Sequence, residues 1–136
     1  MDDRVREDLG RRTRRFALAI VRLYAALPKS MVSHVMGRQV LRSGTSVGAH
    51  YREARRAKSN ADFISKIESA LQELDETGYW LELLQDARVV RGETVERILA
   101  ESNELIAIFV SIVRKVKTKP FGATWAPAHL RTSDRT

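Results

Sequence analysis

The chain has 136 residues, 43% hydrophobic and 30% charged, with 24 Lys+Arg against 17 Asp+Glu and a formal charge of +7. This length and balance suit one soluble globular domain and exclude a disordered chain. With no cysteine there is no disulfide scaffold, no Cys zinc site and no thiol catalysis, which fits a reducing compartment.

The longest strongly apolar run, Phe16 to Leu27, is short and interrupted by Arg22, so no membrane span is expected. The opening Met1-Asp2-Asp3-Arg4 is acidic and lacks a signal-peptide pattern. The expected location is the cytoplasm.

The apolar pattern is helical almost throughout. Phe16, Ile20, Leu23 and Leu27 recur at helical spacing, which predicts a first helix over about 5–27. Pro28 ends it or opens the next segment. A second helix is predicted over about 30–57, with Val32, Met36, Val40, Val47 and Ala54 on its core side. Ser59-Asn60-Ala61-Asp62 reads as a weak capping-box variant, with Asp in place of Glu or Gln. It opens a third helix over 60–86 with the stripe Phe63, Ile67, Ala70, Leu71, Leu74, Leu81 and Leu84. The fourth, over 93–117, carries Val95, Ile98, Ser102, Leu105, Phe109, Ile112 and Val116 at alternating spacings of three and four. Leu99, Ile106 and Val113 widen that face beyond a coiled-coil seam.

Short connections make successive helices antiparallel neighbours. The expected fold is therefore all-α: an antiparallel up-down-up-down four-helix bundle over residues 1–117. Residues 118–136 hold two of the three prolines and no periodicity, and are read as a flexible C-terminal tail. Phe121, Trp125 and Leu130 within it suit a local dock onto the body or a partner-binding segment.

Charge is segregated along the chain. Residues 38–58 carry six basic side chains against Glu53 alone, and 114–136 carry six against Asp134 alone. Between them, residues 62–86 carry seven acids against Lys66 alone. Excess positive charge favours polyanions, nucleic acid first. On helix 2, with Met36 as zero, Arg38, Arg42, Arg52 and Arg56 fall at roughly 160–240°, opposite the core, at about 100° per residue. They span roughly 27 Å of helix, enough to track several phosphates, and the guanidinium fork suits phosphate oxygens. An ordinary solvated helix face is the competing reading. Arg11, Arg12, Arg14 and Arg15 in helix 1, with Lys115, Lys117 and Lys119 near the C-terminus, form a second tier of nucleic-acid-binding candidates. Glu68, Asp75 and Glu82 recur every seven residues on helix 3, a slowly drifting stripe. They suit a solvated face or docking onto the basic surface of another subunit.

No catalytic constellation emerges. A di-iron bundle site needs Glu-x-x-His on two helices, and Met31, Val47 and Ala126 stand three residues before His34, His50 and His129. No phosphate-binding glycine loop is present. Gly44 and Gly48, inside Ser43-Gly44-Thr45-Ser46-Val47-Gly48-Ala49, point to close approach by a neighbouring helix rather than to a serine nucleophile, which would need a base within reach. No catalytic residue, metal ligand or cofactor is therefore expected, and the protein is read as non-enzymatic.

The run Gln39-Val40-Leu41-Arg42-Ser43-Gly44-Thr45-Ser46-Val47-Gly48-Ala49, followed past His50 by Tyr51-Arg52-Glu53-Ala54, leads into Ser59-Asn60-Ala61-Asp62-Phe63-Ile64-Ser65-Lys66. Ala70-Leu71-Gln72-Glu73-Leu74 and Glu76-Thr77-Gly78-Tyr79-Trp80-Leu81-Glu82-Leu83-Leu84 come next. Together they resemble the four-helix-bundle family encoded in intervening sequences of bacterial 23S rRNA genes. The resemblance covers about 16–117, including Leu27-Pro28-Lys29, and is most specific in helices 2 and 3. Where this chain has His50 the family usually has asparagine. The resemblance implies a homopentameric ring. It also implies a link to the accessory variability proteins of diversity-generating retroelements, basic pentameric barrels that bind nucleic acid and a reverse transcriptase. The expectation is a homo-oligomer that binds nucleic acid, RNA ahead of DNA, through its basic helix faces. The alternative is a protein-interaction scaffold, such as a reverse-transcriptase accessory subunit.

Overall fold

A computed structural model describes residues 3–118, apart from the side chains of Asp3, Val5, Arg6 and Glu7. Four helices follow one another: α1 (Asp3–Ala26), α2 (Met31–Ala54), α3 (Asn60–Asp86) and α4 (Glu93–Thr118). α2 packs most extensively on α3 and then on α1, α4 packs on α3, and the α1–α4 seam is the thinnest. The chain is an all-α, antiparallel four-helix bundle. The tail expected over 118–136 lies outside the described residues from Lys119 onward, and Thr118 belongs to α4.

Local chemistry sets the helix ends. Ser30 and Ser59 are extended N-caps whose hydroxyl oxygens accept from the N–H groups of Ser33 and Asp62, at 3.1 and 3.0 Å. Asp62 is one methylene shorter than Glu, and its carboxylate accepts from the N–H of Lys58 at 3.3 Å. α2 stops three residues before the predicted end. Arg56 and Ala57 donate to Glu53 and Ala54, at 3.0 and 3.1 Å, tightening the last turn. Ala57 is thereby turned into the core, 1% exposed. α3 ends in a Schellman motif. Val89 N–H donates to the Leu84 carbonyl and Arg88 N–H to that of Gln85, both at 2.9 Å, with Arg88 left-handed at φ 61°.

Most of the core falls on the stripes the spacing predicts, with Leu9 and Tyr51 added to them and Leu23, Leu27, Met36, Leu71 and Ile112 only partly buried. α1 gives Leu9, Phe16 and Ile20; α2 gives Val40, Val47, Tyr51 and Ala54; α3 gives Phe63, Ile67, Ala70, Leu74, Leu81 and Leu84; α4 gives Val95, Ile98, Leu105, Phe109, Val113 and Val116. The Tyr51 and Phe109 rings stack with centroids 5.7 Å apart. Val32 departs from expectation and is half exposed. α2 and α3 are antiparallel, with Ser43 level with Thr77, so the first turn of α2, Val32 included, overhangs the end of α3.

The glycines of α2 set the α1–α2 spacing. A Cβ on Gly44 would come within 2.7 Å of Ile20, and one on Gly37 within 2.6 Å of Leu27. The helix that approaches Gly44 and Gly48 is thus α1. Between α2 and α3 the buried Thr77 hydroxyl donates to Ser43 Oγ at 2.7 Å, and Ser43 donates to the Gln39 carbonyl at 2.9 Å.

Candidate nucleic-acid interface

The arginine stripe predicted on α2 divides into three. Arg38 is exposed near the start of the helix. Arg42 is half exposed but turned onto α3, where its guanidinium pairs with Glu76 and lies 3.4 Å from both Glu73 oxygens. The hydrogen bond to Glu76 raises the Arg42 pKa, and the same bond, aided by donation from the Trp80 indole at 3.3 Å, lowers that of Glu76. His50 lies 3.4 Å from Glu53 and 3.6 Å from Glu73, and Lys66 lies 3.7 Å from Glu53. This α2–α3 surface is neutralised by its own charges.

Arg52 and Arg56 stand apart from that network, exposed at the C-terminal end of α2, about 21 Å beyond Arg38 at ~1.5 Å per residue. α1 runs beside them. A Cβ on Gly48 would meet Thr13 at 3.2 Å, and a Cβ on Gly10 would meet the Arg55 guanidinium at 3.2 Å. Those contacts align α1 residues 10–13 with α2 residues 48–55. Arg14 and Arg52 each lie about 40° off the contact line at ~100° per residue, and Arg56 follows in the turn just past the end of α2. Arg11 lies one residue beyond Gly10 and is exposed. Arg11, Arg14, Arg52, Arg55 and Arg56 therefore share one end of the α1–α2 face. No described carboxylate pairs with Arg14, Arg52, Arg55 or Arg56.

The other candidates lie elsewhere. Arg12 points to α4, where Nε and Nη2 bind the two Glu101 oxygens at 3.1 and 2.7 Å and Glu104 lies 3.7 Å away. The Glu101 hydrogen bonds raise the Arg12 pKa. Arg15 is exposed, about 140° round α1 from the Gly10–Arg55 contact. Lys115 is exposed, and Lys117 Nζ lies 3.5 Å from Glu68. Lys119 is outside the described residues. Glu68, Asp75 and Glu82 are all exposed on the outer face of α3. Arg55 is the member that periodicity sets aside, since its angle points toward α1 and only the packing shows what lies there.

Among the described residues no group of three or more His, Asp or Glu side chains could hold a metal ion. No described helix is long and apolar enough to cross a membrane.

Comparison with known proteins agrees with this architecture. No curated protein matches the chain. A crystal structure at 1.70 Å resolution of a protein with unknown function from the S23 ribosomal protein family of Bacteroides thetaiotaomicron VPI-5482 is similar, with 44% sequence identity and a TM-score of 0.73. The likeness covers 77% of this chain and 97% of that one. The family model for the 23S rRNA-intervening sequence protein matches residues 8–111, which take in α2 and α3 whole and most of α1 and α4, and the chain belongs to that family.

Proposed function

We propose that this protein is a non-enzymatic, cytoplasmic homo-oligomer, a pentamer by analogy with the ring its sequence resembles, that binds structured RNA through the arginine face at the open end of α1 and α2. The observation that carries this reading is the group Arg14, Arg52, Arg55 and Arg56, gathered on two adjacent helices without carboxylate partners among the described residues. Guanidinium groups held on rigid helices suit phosphate oxygens, and contacts of that kind fix position without carrying base sequence. Several copies in one assembly raise avidity without a sequence-specific pocket. The family description names 23S rRNA, which makes structured RNA the first ligand to test and duplex DNA the comparison.

The test is fluorescence anisotropy with a labelled structured RNA across a salt series, with Arg14, Arg52 and Arg56 changed together to Glu in a second protein of unchanged oligomeric state. Tight binding that weakens steeply with salt and disappears in the variant supports the reading. Absence of binding at low salt removes it. In that case the protein-scaffold reading gains, including a reverse-transcriptase accessory role, and the exposed Met31, Val32 and Val35 at the start of α2 are the first docking surface to examine.

A further inference from the structure

Two surfaces on different sides of the bundle are each incomplete. The first is the outer face of α3. Its exposed carboxylates Asp75, Glu82 and Asp86 have no ionic partner among the described residues. Glu82 and Asp86 are a like-charge pair one turn apart, which disfavours the helix. Between Asp75 and Glu82 stands Tyr79, 58% exposed and set edge-on to Trp80 at 5.1 Å. A ring with a polar tip suits a site that is apolar inside and wet at its rim. The second surface is a groove of about 640 Å³ at the turn end of the α1–α4 seam, the thinnest seam of the bundle. Ala19, Leu23 and Ala26 of α1 line one side and Val95 and Ile98 of α4 the other, with Val90 from the α3–α4 connection. Arg22 and Arg91 also line it, both exposed and without a carboxylate partner among the described residues. Arg97 is held by Glu93 at 2.6 Å.

The two surfaces lie at one height in the bundle. Gly44 faces Ile20, and Ser43 beside it bonds to Thr77, which sets Tyr79 level with Leu23 on the parallel helix α1. Arg12 pairs with Glu101 on antiparallel α4, which sets Leu23 level with Val90. Leu23 and Val90 both line the groove. α1 and α3 are diagonal in the bundle, so the groove and the α3 face point away from each other and cannot meet within one chain. Two copies standing side by side with parallel axes bring them together at the same level. Rotation about an axis along the bundle then repeats the contact round a closed ring. We infer that Tyr79 of one copy seats in the α1–α4 groove of the next, with Arg22 and Arg91 of the receiving copy against Asp75 and Glu82 of the incoming one. Asp75 and Glu82 lie about 6 Å and about 4.5 Å along α3 on either side of Tyr79 at ~1.5 Å per residue, within the span of an arginine side chain. Tyrosine and arginine are the residue types that anchor protein interfaces, and the opposite charges fix the register of the two copies. The contact rests on the homo-oligomer reading above. It leaves the RNA-binding arginine face uncovered, because the groove is on the α4 side of α1 and that face is on the α2 side.

The test is the mass of the full chain in solution, measured by light scattering at one concentration for the parent and three variants. One variant carries Arg22→Glu and Arg91→Glu, the second Asp75→Arg and Glu82→Arg, and the third all four changes. All four positions are exposed, so the helix content read by circular dichroism should stay that of the parent. The parent is expected at a multiple of the chain mass. Each reversal alone sets like charges against each other across the contact and should reduce the mass to that of a single chain. The combined exchange restores opposite charges and should recover the parent mass, which a merely structural role for these residues would not do. A combined variant that stays at the mass of a single chain overturns the inference. A multimeric parent whose mass ignores either reversal removes this contact alone and leaves the homo-oligomer reading in place. A parent at the mass of a single chain removes both.

Discussion

Arg12 of α1 and Glu101 of α4 form a two-pronged pair, Nε to Oε2 at 3.1 Å and Nη2 to Oε1 at 2.7 Å, across the least packed seam of the bundle. Both side chains are less than a third exposed, so the pair is screened less than an ordinary surface bridge. Glu101→Ala should therefore destabilise the fold by about 1 kcal/mol. A double-mutant cycle with Arg12→Ala, read by urea denaturation, should give a coupling energy of similar size. Additivity of the two single changes would show that the pair contributes nothing.

Gly44 faces Ile20, a fully buried side chain, with a Cβ-to-Cγ1 distance of 2.7 Å if alanine were present. Alanine ordinarily favours a helix interior by roughly 1 kcal/mol over glycine. Here the clash dominates, because Ile20 is fully buried and the added Cβ meets its Cγ1 and Cγ2, atoms close to the α1 backbone. Gly44→Ala should lower stability by roughly 1–3 kcal/mol, measured by thermal or urea unfolding. Added stability would mean that α1 and α2 part without penalty.

The helices and most of the core were legible because each element is amphipathic, with Ser59 as a start signal for α3 and Pro28 as a break between α1 and α2. Periodicity fixes the direction of a Cα–Cβ bond, and for short side chains such as Val40 or Leu74 that direction is also the destination. It fails for long ones. Arg42 leaves α2 on the outward side, yet its guanidinium reaches Glu76 and Glu73. Arg12 similarly ends on Glu101 of a helix 89 residues away in sequence. The end of α2 was illegible for another reason. Alanine suits a helix as well as a turn, so nothing local marks Ala57 as the residue that packs inward after the helix stops.

At Arg88 the C-terminal end of α3 needs a left-handed residue, φ 61°, where glycine is the usual occupant. The arginine head is exposed and its Cβ is strained against the backbone. Arg88→Gly should raise stability by roughly 0.5–1 kcal/mol, visible as a higher urea midpoint with an unchanged slope. A lower midpoint would mean that the Arg88 side chain makes a contact worth more than the strain.

Acid should loosen the α2–α3 face through Glu76. Hydrogen bonds from Arg42 and Trp80 hold its pKa below the ordinary value of 4.5. Ionised Glu76 therefore stabilises the folded chain above that value, and the contribution is lost as pH falls through the lowered pKa. Urea midpoints measured from about pH 6 down to about pH 3 should fall less steeply in Glu76→Gln than in the parent chain. Parallel acid limbs would show that the pair with Arg42 does not persist in solution.

Binding and stability should separate among the arginines of α2. Arg42 is satisfied by two carboxylates, and giving them up to reach a phosphate would take from Glu76 the guanidinium that pairs with it. Arg52 and Arg56 have no such commitment. Each phosphate contact removed lowers the slope of log K against log salt by about 1. Changing Arg52 and Arg56 together to Gln should therefore flatten that slope by about 2 per RNA-contacting subunit, with an unchanged urea midpoint. Arg42→Gln should do the reverse, leaving slope and affinity in place while lowering the midpoint. A slope that responds to Arg42 and ignores Arg52 and Arg56 would move the interface off the α1–α2 end and onto α3, where the acidic stripe opposes it.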